Sequence, residues 1–500
     1  MASGYEAIAL VRLAIAKDFR NKRLVLKIAS LKTTLSKTMC SLGASVFGLL
    51  PVTGLGTTNL LGMSLFSPRW EPVEGLELAS VDLRPNWESA WIRDTIANDP
   101  AANAIVSGYV SGLTASGYLA DEQGVWVASG IYPVAQHRGD TPGPAASLTK
   151  VATTLAALSA WDPDHRFNTL VGFRGELVNG IVNGDLVVEG GDDPLFVWEE
   201  AIALGNSLQQ LGIRGVTGDL IIAGNFTMNF EPDPGKSGLM LKQALNEAEW
   251  DYEIEEAYQN FPPGLARPSV QIAGRVKQDP SSWRNQANGW IVQHSSLPLV
   301  AVLKAMNIYS NNAMAQQIAD TLGGSAAVMN QVELAAGIAP GEIRLINGSG
   351  LGEENQMSPR AAVAMFRQIQ DELRPSDYTV SDIFPIAGAD GGTLQDRGLP
   401  NNAVVKTGSL AVVSALAGAL PTRDKGIVWF SLINYGSGLD NLRNRQDRVL
   451  AALEQQWGRA EGVPPELQTS VRIGEAPYQF GDSRRNQQIL QPQAMANADE

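Results

Sequence analysis

Apolar positions along the chain recur with two different periods, and the change of period divides it into segments. Between residues 145 and 160, Leu148, Val151, Ala152, Leu155 and Leu158 follow at three- and four-residue steps, which puts them on one stripe of a helix. Pro144 stands where a helix start tolerates proline, and Asp162-Pro163 closes the segment. The spacing also predicts helices over 87–98, 199–211, 299–319, 358–372 and 441–457. Elsewhere the apolar runs are short, β-prone and cut by glycine: 124–127, 170–173, 184–189 and 219–223. Residues 403–410, 414–420 and 426–433 read as successive strands, with Asp424-Lys425-Gly426 as a tight turn between the last two. Pro262-Pro263, Pro268 and Pro280 predict an irregular course over 231–295, within a β-rich region spanning 167–295. The tail, residues 461–500, is rich in Gln, Asn, Arg and Ala past Pro464 and predicts a flexible end.

At 500 residues the chain exceeds one compact core, and 44% hydrophobic against 18% charged content excludes wholesale disorder. A single cysteine, Cys40, excludes an intramolecular disulfide framework and a cysteine-based zinc cluster. Three histidines, His137, His165 and His294, leave little room for a multi-histidine metal centre and make a Ser-His-Asp triad a poor first reading. The net charge of −14 argues against nucleic-acid binding. That charge is uneven: residues 1–37 carry eight Lys and Arg against Glu6 and Asp18, and Thr38 to Pro68 carries no charge. A basic flank before an uncharged apolar run reads as an export signal or a retained anchor over 38–66, within a leader of residues 1–70. A surface amphipathic helix over 5–28 followed by a loop is the alternative. Cys40 lies in a poor lipoprotein acceptor context.

Lysine is scarce beyond the leader, and two of the remaining lysines stand in motifs. Ser147-Leu148-Thr149-Lys150 sets a hydroxyl and an amine three residues apart on one helix face. A serine is a weak nucleophile until a base takes its proton, and a lysine serves if burial or nearby positive charge lowers its pKa. The plain alternative is a solvated helix face, but Lys150 sits in an apolar run without an acidic partner at helical spacing. Ser310-Asn311-Asn312 opens a helical segment, where N-capping is the plain reading. Lys406-Thr407-Gly408-Ser409 lies in a strand pattern, where a lysine also guards sheet edges against aggregation. Together the odds change. No other lysine has serine three residues before it, no other serine has asparagine two residues after it, and Lys-Thr-Gly occurs once.

Ser-x-x-Lys, Ser-x-Asn and Lys-Thr-Gly, in this order, form the signature of penicillin-binding proteins and class A β-lactamases. Over roughly residues 120–435 the chain resembles the serine-type D-Ala-D-Ala carboxypeptidases of the low-molecular-mass, class C penicillin-binding group. Gly191-Asp192-Asp193-Pro194-Leu195, Gly348-Ser349-Gly350-Leu351 with Ser358-Pro359, and the block from Pro385 through Gly392-Thr393-Leu394 to Arg397 resemble further stretches of that group. Asn347 stands where the family usually has Asp, Glu353 where arginine is common, and Asn311 where many relatives have Asp. The Ser147–Ser310 separation far exceeds that of a β-lactamase, as expected if residues 167–295 are an inserted domain.

The resemblance implies an α+β fold: a transpeptidase-like domain with a five-stranded antiparallel sheet flanked by helices, formed from 71–166 and 296–460, plus the insert. It implies that Ser147 attacks the penultimate D-Ala carbonyl of a peptidoglycan stem peptide, with Lys150 as base and Lys406 holding its pKa down. Ser310 would relay the proton to the leaving amine, and Asn312 would hold the substrate amide and orient Lys150. Lys406, Thr407 and Ser409 would bind the terminal carboxylate, beside Gly408, and the backbone N–H groups of Ser147 and Ser409 would form the oxyanion hole. β-Lactams would acylate Ser147, and no metal or organic cofactor is implied. The expected setting is exported, periplasmic or extracytoplasmic, with membrane contact only through an N-terminal anchor. Cleavage of cross-links differs only in the leaving group. A silent penicillin-binding scaffold and a β-lactamase are the rival readings, the second disfavoured by the insert.

Overall fold

The computed structural model describes residues 99–279, 289–475 and 478–489. The leader, the apolar run over 38–66 and the helix expected over 87–98 lie outside the described residues. Among the described residues no helix is long and apolar enough to cross a membrane.

A five-stranded antiparallel sheet forms the frame, in the order Val404–Leu410, Val413–Thr422, Gly426–Tyr435, Gln123–Ser129, Tyr132–His137. Its second strand is buried throughout, so both faces must be covered. Alternation assigns the faces: Val413, Ala415, Ala417 and Ala419 join one core, and Leu416 and Leu420 join the other. On the alanine side pack the helices Thr149–Ala160, Leu299–Tyr309 and Pro359–Leu373, through Leu155, Leu303 and Phe366. Small side chains there let helix backbones approach the sheet closely. On the leucine side lie Pro100–Ala115 and Leu439–Trp457, through Leu113, Leu442 and Leu450. The first of these has a clear start signal in the sequence, Asp99 capping the N–H of Ala102 ahead of Pro100.

Residues 168–295 build a second, mixed sheet with its own core of Phe196, Trp198, Ile202, Leu208 and Ile222. The irregular course expected over 231–295 is corrected: helices run over Pro234–Ala244 and Tyr252–Tyr258, and strands over Gln271–Ile272, Val276–Asp279 and Gly289–Ser295. Pro262-Pro263 and Pro268 do lie in an irregular stretch, but it is shorter than expected, and the helix at Pro234 opens on a proline with Asp233 as cap.

Three further expectations change. Pro144 belongs to a two-residue strand paired with Gln356–Met357, and the helix begins only at Thr149 after a tight turn over Ala146–Leu148. The helical spacing over 299–319 belongs to two helices, broken where Ser310 turns left-handed (φ 54°), the second opening at Asn312 as the Ser310-Asn311-Asn312 stretch predicts. The flexible tail expected over 461–500 instead packs along the body up to Ile489. Ser381 Oγ donates to Leu467 O (2.7 Å), and Tyr378 and Tyr478 share a hydroxyl contact (2.7 Å). Asn486–Gln488 adds a strand beside Gly289–Ser295. Tyr478, Leu467 and a buried Arg485 anchor a segment rich in polar residues.

Candidate active site

The tight turn before the Thr149–Ala160 helix carries Ser147. Ala146 sits at φ +46°, a conformation unfavourable for a side-chain-bearing residue, immediately before that serine. Two glycines make this geometry possible. A Cβ on Gly350 (φ +84°) would lie 1.8 Å from Ala146 O, and one on Gly408 would lie 2.9 Å from Ala145 O and 3.1 Å from Ser147 N. The strand bearing Gly408 therefore passes directly against the backbone N–H of Ser147.

Lys150, one turn further on, is fully buried. Its Nζ lies 3.1 Å from Ser147 Oγ, 2.7 Å from Asn312 Oδ1 and 2.7 Å from Ser349 O. No carboxylate pairs with it among the described residues. Burial, reinforced by the charge of Lys406, drives its pKa well below the usual lysine range. Protonation then sets the sense of the hydrogen bonds. A neutral amine has two N–H donors and one lone pair, and two of its neighbours are carbonyl oxygens that only accept. In the protonated form the third N–H goes to Ser147 Oγ; in the neutral form both N–H groups go to Asn312 and Ser349 and the lone pair is left for the Ser147 hydroxyl. That is the arrangement of a base holding a nucleophile.

The Ser310-Asn311-Asn312 stretch divides its labour. Asn311 does the capping, accepting from Met314 N at 3.0 Å, which leaves Ser310 and Asn312 for the cleft. Ser310 accepts from Lys406 Nζ at 3.1 Å. Lys406 is itself fully buried, donates also to Thr407 O (2.7 Å), and is lowered by burial to about 7. The Val404–Leu410 strand is indeed a sheet edge, but a lysine with no exposure is no guard against aggregation. Thr407 is nearly buried, and Ser409 is exposed at the end of the motif.

Two hydrogen-bonded groups, Ser147–Lys150–Asn312 and Ser310–Lys406, thus meet through the charge of Lys406 on Lys150, with Gly408 against Ser147 and Thr407 and Ser409 along the same strand. Sequence reasoning gave no role to Ser349, whose carbonyl fixes Lys150, or to Gly348, whose carbonyl accepts from Thr153 Oγ1 at 2.7 Å. The signal was their glycine-rich loop. Asn347 shapes it by accepting from the N–H groups of Ser349 and Gly350 (3.1 and 2.8 Å), a task a carboxylate would also perform. Among the described residues no cluster of three or more His, Cys, Asp or Glu is arranged to hold a metal.

Comparison with known proteins places this geometry. The family model of D-Ala-D-Ala carboxypeptidase 3 (S13) matches residues 114–229 and 250–456. Carboxypeptidase DacB of Mycolicibacterium smegmatis is 27% identical over 331 residues, covering 59% of this chain and 71% of that protein. Among solved structures, penicillin binding protein 4 (dacB) of Haemophilus influenzae is 20% identical with a TM-score of 0.54, over 69% of this chain and 99% of that one. Bd3459, a predatory peptidoglycan endopeptidase of Bdellovibrio bacteriovorus, is 18% identical with a TM-score of 0.61, over 73% of this chain and 98% of that one. It has also been solved acylated by penicillin G. With the two halves of the family model straddling both motif-bearing segments, the chain belongs to the D-Ala-D-Ala carboxypeptidase 3 (S13) family and is a serine-type, penicillin-binding peptidoglycan hydrolase.

Proposed function

We propose that the chain removes the terminal D-Ala from peptidoglycan stem peptides through an acyl-enzyme on Ser147. The observation that carries this reading is the buried Lys150, without a carboxylate partner among the described residues, with its Nζ 3.1 Å from Ser147 Oγ. Lys150 takes the hydroxyl proton as the Oγ–carbon bond forms. The developing oxyanion is received by the N–H groups of Ser147 and Ser409, each such donor being worth roughly 3–4 kcal/mol in the transition state. Ser310 passes a proton to the departing amine as the C–N bond breaks, Asn312 holds the substrate amide, and Lys406 with Thr407 and Ser409 draws in the terminal carboxylate. Water, activated by Lys150, then releases the acyl group. A β-lactam follows the same first step but keeps its leaving group tethered, so the adduct persists.

Two coarser points belong to the same proposal. The sheet carrying the motifs, with its helices, is the catalytic domain, and the 168–295 sheet is a separate inserted domain. The work is done in an extracytoplasmic, periplasmic setting, where the substrate is found. Cleavage of D-Ala cross-links is a second activity of the same site, since the Bdellovibrio protein of like fold is an endopeptidase and only the leaving group differs. Labelled penicillin tests the assignment: wild type should form a covalent adduct that is absent in Ser147→Ala, and an undiminished adduct in that variant would refute the nucleophile. Mass spectrometry of a muropeptide digest then separates pentapeptide trimming from cross-link cleavage.

A further inference from the structure

The residues assigned to the substrate carboxylate leave its charge poorly answered. Lys406 has no exposure, its Nζ is engaged by Ser310 Oγ and Thr407 O, and burial lowers it to about 7, so it is not a constant cation near neutral pH. Thr407 is nearly buried. Of the three, only Ser409 is open to solvent. Its side chain is met from the Leu439–Trp457 helix by Arg443, whose Nη2 donates to Ser409 Oγ at 2.9 Å. Strand alternation explains the meeting, since Val405 and Ser409 point to the sheet face that this helix covers. Arg443 is itself weakly neutralised. Its one carboxylate neighbour among the described residues, Asp440, lies 3.5 Å away with its side chain 91% exposed. A guanidinium stays charged at every working pH and presents several donors in one plane, which suits a carboxylate.

We propose that Arg443 is a specificity-determining residue of this site, supplying the fixed positive charge that selects a free α-carboxylate on the leaving residue. A carboxylate that reaches the exposed Ser409 hydroxyl comes beside Arg443 Nη2, exchanging water for a charge-assisted hydrogen bond. This deepens the acyl-enzyme reading and rests on it. It covers both proposed leaving groups wherever the departing amine's carbon bears a carboxylate.

The test compares an N-acylated peptide ending in D-Ala-D-Ala with the same peptide as its C-terminal amide, on wild type, Arg443→Gln and Arg443→Lys. Wild type should prefer the free acid. Arg443→Gln should lower kcat/KM for the acid about tenfold to a hundredfold and leave the amide unchanged, and Arg443→Lys should recover part of the loss. An equal loss on acid and amide would assign Arg443 to scaffolding and overturn the inference, as would no loss on either or a wild type indifferent to the two. Labelled penicillin on the same wild-type preparation separates the two levels. A missing Ser147 adduct takes down the acyl-enzyme reading and this inference with it, whereas a normal adduct without acid–amide selectivity sinks the role of Arg443 alone. Equal thermal midpoints for the three proteins show that the comparison is between folded enzymes.

Discussion

The molecule buries charge by two opposite rules. In the motif cleft, Lys150 and Lys406 are fully buried with hydroxyl, amide and carbonyl oxygens for company and, among the described residues, no carboxylate. Beside the second sheet, Arg485 is buried against Glu200, donating from Nη2 to both carboxylate oxygens (2.6 Å to Oε2) and from Nη1 to Ser295 O. Lys304 follows the second rule even on a helix that packs against the five-stranded sheet, with Asp390 at 2.6 Å. A buried lysine paired with a carboxylate stays protonated and serves as a structural tie. Denied that partner, it pays the desolvation cost by giving up its proton, and becomes a base. Chemistry sits where pairing is withheld.

The sharpest way to break this comparison is to remove one cation of each kind. Lys150→Met should lower the rate of penicillin acylation by about 10²–10⁴-fold, the usual contribution of a positioned base, without lowering the thermal midpoint. Loss of fold in that variant would mean that Lys150 is a structural tie after all. Arg485→Met should do the reverse, costing about 3–5 kcal/mol in denaturant unfolding because Glu200 is left buried and unpaired. Acylation per folded molecule should be unchanged, and a large drop in it would erase the distinction.

A smaller effect sharpens the contrast through pH. Lys406 falls from an ordinary 10.5 to about 7 in the folded protein. Between those values the unfolded chain holds a proton that the native state does not, so this group makes stability rise with pH across that window. Lys406→Met should flatten that part of the stability–pH curve, and an unchanged slope would count against a neutral buried lysine. In wild type, acylation should fall as acid protonates Lys150, whose pKa is depressed further still by the charge of Lys406. The smallest effect belongs to exposed pairs: Arg374→Ala, which breaks the solvent-exposed contact to Asp371, should change stability by no more than about 0.5 kcal/mol by denaturant titration.

Much of the frame was legible from local pattern. The Thr149–Ala160 helix and the three consecutive strands from Val404 to Tyr435 follow apolar periodicity, and their observed ends lie within a few residues of the expected ones. Where reading failed, a residue type with two meanings was at fault. Proline was one: Pro262-Pro263 and Pro268 do lie in an irregular stretch, but that reading was spread over segments that hold the helices Pro234–Ala244 and Tyr252–Tyr258, and the apolar spacing over 299–319 ran across the break that Ser310-Asn311-Asn312 marks. The tail failed for another reason: Arg485 and Tyr478 look like surface residues until Glu200 and Tyr378 arrive from distant segments.

Residue order alone determined that a hydroxyl and an amine stand three residues apart at the opening of a helix, that a serine–asparagine pair opens another helix, and that a lysine stands in a strand. Hydrogen-bond and backbone preferences over a few residues are enough for that. The tertiary structure alone decided that the oxygens of Asn312 and Ser349, 162 and 199 residues beyond Lys150, would accept from its Nζ. It also decided that no carboxylate would come with them. A proton's position depends on the field of everything packed around it, and that field exists only once remote segments have met.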